Sequence, residues 1–163
     1  MLTRFFQWHR ANPRELVATE AEFALEIGRA RLSGSVDRLE RDPISGNYFI
    51  VDLKTGASVT QEVANEHKQL SAYQLGVVAG GFSTLEKGAG TDGAGLLFLK
   101  KDTDKNQTID QPPIVQEIVE AEIAAAAEGM AAATFQAVIN KRCEMCSIKA
   151  LCPLQPEGRS VIG

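Results

Sequence analysis

The chain has 163 residues, 44% of them hydrophobic and 23% charged, with a formal net charge of −4. These values fit one folded domain with one core and exclude collagen-like, disordered and disulfide-scaffold classes. The negative charge lacks the basic footprint of a free-standing DNA-binding domain, but it does not exclude DNA, because carboxylates that hold cations reverse the local sign. No secretory signal opens the sequence and no run of about 18 apolar residues occurs, so a cytoplasmic chain without a membrane partner is expected.

Residues 2–11 read as a short helix stopped by Asn12-Pro13. Three strand-like stretches follow: Leu16 to Ile27, Ala30 to Arg41, and Tyr48 to Lys54. Asp42-Pro43-Ile44-Ser45-Gly46-Asn47 favours chain reversal, so the second and third strands should form an antiparallel hairpin. Ser58-Val59-Thr60-Gln61 fits a capping box, predicting a helix to about Val78 that stops at Gly80-Gly81. A glycine-rich loop, Gly88 to Gly93, leads to a fourth strand, Ala94 to Lys100, and residues 101–107 read as a turn. Pro112-Pro113 introduces a last helix, Ile114 to Ile139, whose Val115, Val119, Ile123, Ala126, Met130, Ala133 and Ala137 form one apolar stripe expected to pack on the sheet. The fold class expected is α/β, a mixed sheet flanked by helices.

Chemistry concentrates in Gly34-Ser35-Val36-Asp37-Arg38 and Ile50-Val51-Asp52-Leu53-Lys54. Side chains two apart on a strand share a face, so Asp52 and Lys54 point the same way, and the hairpin can bring Asp37 beside Asp52. Two close carboxylates repel unless a cation lies between them. Mg²⁺ takes oxygen ligands, polarises a phosphodiester and activates water, while a lysine stabilises the charge developing on phosphorus. Spacing alone fits equally a hairpin with charges on its solvent face. Downstream, Glu66, Gln69 and Tyr73 recur at helical spacing, with Gln69 and Tyr73 on one face.

In this order Gly34-x-x-Asp37-Arg38, Asp52-x-Lys54-Thr55-Gly56 and Gln69-x-x-x-Tyr73 resemble the RecB-family nucleases of the PD-(D/E)XK superfamily, with the restriction-endonuclease-like fold. Glu20-Ala21-Glu22-Phe23 resembles the Glu-x-x-Phe of that family's first strand, and Cys143-x-x-Cys146-x5-Cys152-Pro153 the C-terminal cysteines of its iron–sulfur members. The resemblance runs from about Glu15 to Arg159. It implies an Mg²⁺- or Mn²⁺-dependent deoxyribonuclease, exonuclease or endonuclease, over residues 1–163, with its core at about 15–140 and a cysteine-bearing tail at 141–163. Asp37 and Asp52, with the Leu53 carbonyl, would hold the metal, and Lys54 would be the catalytic lysine. Gln69 and Tyr73 would position the DNA backbone or the lysine, and Glu20 would support the site from behind. Arg38 is either a phosphate contact or a structural partner for a carboxylate.

The three cysteines are odd in number and clustered, which argues for a metal or iron–sulfur site over disulfides. The resemblance implies a [4Fe–4S] cluster whose fourth thiolate lies upstream. No upstream cysteine is present here, and neither is the family's Gly-x-x-x-His segment; His9 stands in a different context. The chain is therefore expected to be a C-terminal piece of a larger polypeptide, resembling an actinobacterial AddAB/AdnAB-type helicase–nuclease that processes double-strand breaks in recombination repair. Its partners would be DNA, a helicase portion of the same polypeptide and a second subunit. Zinc, with His67 as a further ligand, and no metal at all are the rival readings of the cysteines. An inactive DNA-holding scaffold, or an unrelated iron–sulfur or zinc protein, are the rival readings of the whole.

Overall fold

A computed structural model of the chain describes residues 1–163 except 87, 101–107, 133–136, 157 and 159–163. In chain order the elements are α1 (Leu2–Ala11), β1 (Glu15–Ile27), β2 (Ala30–Arg41), β3 (Tyr48–Lys54), α2 (Gln61–Asn65), α3 (Lys68–Val78), β4 (Thr91–Phe98), β5 (Thr108–Gln111) and α4 (Gln116–Ala131). The strands form one sheet in the order β1-β2-β3-β4-β5, parallel between β3 and β4 and antiparallel elsewhere. This is the mixed α/β architecture that the sequence predicts. The chain divides into two compact units, Met1–Ala125 and Ala126–Gly163, and the sheet lies in the first.

Both faces of β3 are buried, which explains its near-continuous apolar run. Ile50 faces a cluster with Val36, Leu39, Leu96 and the α3 residues Leu70 and Val77. Phe49 and Val51 face the opposite cluster, with Leu97, Leu99 and the α1 residues Phe5 and Trp8. The turn between β2 and β3 is the expected one. The Asp42 carboxylate accepts from Ile44 N at 2.8 Å and Ser45 N at 3.0 Å, and Gly46 supplies a φ of 75° that favours glycine.

The helix predicted from Ser58 to Val78 is two helices. Thr60 caps α2, accepting from Val63 N, and His67 caps α3 through Nδ1, accepting from Leu70 N at 3.4 Å. The break has a distant cause. The buried Gln111 donates from Nε2 to the carbonyls of Ala64, Asn65 and His67 at 3.0–3.2 Å, and its Oε1 accepts from Gln74 Nε2 at 2.9 Å. Ala64 O also accepts from His67 N and His67 O from Ser71 N, each at 3.1 Å, so Gln111 joins the end of α2 to the start of α3 and takes the Asn65 carbonyl. Gln111 closes β5, a strand that the sequence reading did not predict. Gln111→Leu leaves several buried polar groups without partners, so we expect a loss of about 3 kcal/mol in urea unfolding. A change below about 0.5 kcal/mol would show that this network does not hold the break.

β4 begins at Thr91, three positions earlier than predicted, because the end of the glycine-rich loop pairs with β3. Tyr48 N donates to Gly90 O at 2.9 Å, and Thr91 aligns with Tyr48. Gly93 is required there, since a Cβ would lie 2.4 Å from Gln111 O and its φ is 119°. The turn predicted over 101–107 lies outside the described residues.

The last helix covers Gln116–Ala131, shorter than the Ile114 to Ile139 predicted. Residues 133–136 lie outside the described residues, and Ala137 to Asn140 are not helical. Its stripe is not a core seam in the first unit: Val119 is buried, but Val115 is 56% exposed. The sheet faces that α4 was expected to cover are already covered by α3 and α1.

Candidate active site

The β2–β3 ladder runs from Arg41↔Tyr48 to Arg38↔Val51 and stops there. One step further along the same register, Asp37 stands across from Asp52. The two strands part at this point, and a side chain takes over the pairing: Asp37 Oδ2 accepts from Leu53 N at 2.6 Å. The N–H and C=O of one strand residue point to the same side. The Leu53 carbonyl therefore opens toward Asp37, in the gap between the parted strands.

Asp52 is only 4% exposed. Lys54 Nζ lies 2.7 Å from its Oδ2, an ion pair without hydrogen-bond alignment, so Oδ2 is buried with no properly directed donor. Lys54 is one-third exposed, so its side chain is partly open to solvent.

Tyr73 reaches this cluster from α3. Burial raises its phenol above the ordinary tyrosine range, and the negative charges of Asp52 and Asp37 raise it further, against the bond from Gln69 and the charge of Lys54. The phenol thus keeps its proton. Gln69 Nε2 donates to Tyr73 Oη at 2.5 Å, which fills an acceptor position and leaves the phenolic O–H to point elsewhere. Gln69 and Glu66 are exposed.

Asp37, Asp52, Lys54, Tyr73 and Gln69 are therefore brought together, and Leu53 takes part through its backbone. Glu20 stands across from Asp37 on β1, between the pairs Thr19↔Arg38 and Ala21↔Val36, with a left-handed φ of 49°. The face alternation of both strands slips at this point: Ala18 and Leu39 on one side of it, and Ala21 and Val36 on the other, all reach the same core. Such irregularities re-aim side chains beside active sites. The Glu20 side chain itself is exposed and makes no hydrogen bond or ion pair to the cluster among the described residues.

Arg38 takes the structural role of its two readings. It is 4% exposed, donates from Nε to Glu40 Oε1 and from Nη2 to His9 Nδ1 at 3.2 Å, and lies 5.4 Å from the Trp8 ring. His9, on α1, is thus engaged with Arg38.

The donor set at this junction suits a divalent cation. Two carboxylates opposed across parted strands, one with a buried, undirected oxygen, and a backbone carbonyl opening beside them suit a hard ion that keeps several waters. No group of three or more His, Cys, Asp or Glu is placed to hold a metal among the described residues. An ion here would thus rest on two carboxylates plus carbonyl and water oxygens. The same finding covers the cysteines. Cys143 and Cys152 are half-buried, Cys146 is exposed, all three are free, and Asn140 N donates to Cys143 Sγ at 3.2 Å. The iron–sulfur expectation has no preformed ligand set among the described residues.

The sequence profile of the PD-(D/E)XK nuclease superfamily matches residues 1–153. The chain belongs to that superfamily. PD-(D/E)XK proteins are nucleases that generally use divalent metals, and the mixed sheet with flanking helices agrees with their restriction-endonuclease-like fold. The search of curated proteins finds no match. Among solved structures, the crystal structure of SSO0001 is matched at 18% identity with a TM-score of 0.45, over 94% of this chain and 67% of that one. No helix among the described residues is long and apolar enough to cross a membrane.

Proposed function

We propose that this PD-(D/E)XK domain is a RecB-family deoxyribonuclease that hydrolyses DNA phosphodiesters with Mg²⁺ or Mn²⁺. The observation that carries it is the junction where β2 and β3 part: Asp37 bonded to Leu53 N–H, the buried Asp52 across from it, and Lys54 2.7 Å from Asp52. Asp37, Asp52 and the Leu53 carbonyl would hold the ion. When bound, that ion supplies a Lewis acid for the phosphodiester and a lowered pKa for water. Lys54 places positive charge beside the reacting phosphorus, where negative charge grows in the transition state. Tyr73, its oxygen occupied by Gln69, offers its O–H to a phosphate oxygen and so orients the strand. We place the domain, on the order of its motifs and its C-terminal cysteines, in a helicase–nuclease of the AddAB/AdnAB type. There a helicase portion of the same polypeptide and a second subunit would deliver DNA during break repair, and Cys143, Cys146 and Cys152 would join a fourth thiolate on a [4Fe–4S] cluster.

Single- and double-stranded oligonucleotides incubated with the chain and Mg²⁺ or Mn²⁺ test the reading. Cleavage that EDTA abolishes and excess metal restores is the expected result. DNA bound but never cut with either metal would favour the scaffold reading.

A further inference from the structure

Phe23 has no part in the chemistry above, yet it is a buried ring packed beside it. It lies on β1, 5% exposed, directly across from Gly34. A Cβ on Gly34 would come within 3.2 Å of Phe23 Cε1, and a Cβ on Gly76 of α3 within 2.9 Å of Cδ2. Phe82 tilts against it at a centroid distance of 5.2 Å. The ring thus lies in a slot between two glycines, where a side chain at either position would press on it. It also meets Tyr73 edge to face, at 5.8 Å and 87°.

The two glycines tie this slot to the site. Gly34 precedes Asp37 by three residues on β2, and Gly76 follows Tyr73 by three on α3. We infer that Phe23 is a positioning residue: seated between Gly34 and Gly76, it fixes the Tyr73 ring so that its hydroxyl meets the substrate beside Asp37 and Asp52. This rests on the nuclease reading and extends it, giving the Gly-x-x-Asp spacing a mechanical purpose. Gly34 admits the ring that holds Tyr73, on the same strand that carries the first carboxylate. An edge-to-face pair is worth about 0.5–1.5 kcal/mol beyond its burial. Its larger effect is orientational, because small displacements of a positioning group cost on the order of tenfold to a hundredfold in rate.

Two variants perturb the slot in opposite senses. Phe23→Leu removes the ring edge. Gly76→Ala gains about 1 kcal/mol of helix propensity but pushes a methyl against both Phe23 and Phe82. Two readouts are taken on each. Ring-labelled tyrosine NMR follows Tyr73 and Tyr48, the two tyrosines of the chain, assigned with Tyr73→Phe. Tyr48 pairs with Arg41, far along β2 from Gly34, and serves as the internal control. Steady-state cleavage of a single-stranded oligonucleotide gives kcat and KM. We expect the Tyr73 resonances to move in both variants while those of Tyr48 stay, and kcat to fall about tenfold or more with KM within about twofold. In the Phe23→Leu/Tyr73→Phe double variant the two losses should not multiply. Unmoved Tyr73 resonances in both variants, or losses that multiply, would overturn the inference. A wild-type chain that cuts no DNA overturns the nuclease reading instead, and the NMR arm still decides whether Phe23 holds Tyr73.

Discussion

Asp52→Ala and Lys54→Ala should each lower DNA cleavage by about a thousandfold or more while leaving the fold intact. The stability half of this expectation separates a catalytic group from a structural one. Asp52 is a carboxylate at 4% exposure whose Oδ2 has no aligned donor, so alanine removes a buried charge that the fold stabilises poorly. Its thermal unfolding should stay level or rise. Lys54 is one-third exposed but is the cation beside the buried Asp52, so Lys54→Ala leaves that carboxylate unpartnered and should lower the melting temperature of a protein that still folds. Asp37→Ala should behave differently. It abolishes cleavage and also strands Leu53 N–H at the strand junction, at a cost of about 1–3 kcal/mol. Cleavage rates and unfolding curves on the three variants together decide the assignment. Cleavage retained in Asp52→Ala would mean that another residue holds the metal.

Much of this site was legible in the sequence because its geometry is local. Asp52 and Lys54 share a face by strand period, and the turn at Asp42 to Asn47 fixes the register that sets Asp37 across from Asp52. Gln69 and Tyr73 follow from helical spacing alone. What was not legible depends on partners distant in sequence. The break at Glu66–His67 is made by Gln111, 44 positions from His67, through a strand of only four residues. The stripe on α4 has a sound helical period, but period does not tell which sheet face is free, and both were taken. Phe23 was visible as part of Glu-x-x-Phe, but its seat needs a glycine from β2 and another from α3. No one-dimensional pattern announces that meeting. The change of face alternation at Glu20 was not legible either, because its left-handed φ belongs to a residue type that ordinarily avoids it.

Arg38 supplies the other large effect, and here the expected loss is of stability. On sequence grounds it was either a phosphate contact or a partner for a carboxylate. In the structure it is buried against Glu40, which is 0% exposed and also accepts from Asn12 Nδ2 at 2.7 Å, while His9 and Trp8 of α1 close over the guanidinium. Removing one member of a buried pair leaves the other charged and unpartnered, which typically costs about 3–5 kcal/mol. Arg38→Ala should therefore lower the melting temperature by roughly 10 °C or more, at about 2–4 °C per kcal/mol for a chain of this size. The double replacement Arg38→Met/Glu40→Leu removes both charges and keeps apolar volume, so it should recover most of that loss. The phosphate-contact reading makes the opposite forecast: a stable Arg38→Ala protein whose KM for DNA rises and whose salt dependence weakens. Unfolding curves and KM measured on the single and double variants tell the two apart. A melting temperature within about 2 °C of wild type in Arg38→Ala would overturn the structural role and favour the phosphate-contact reading.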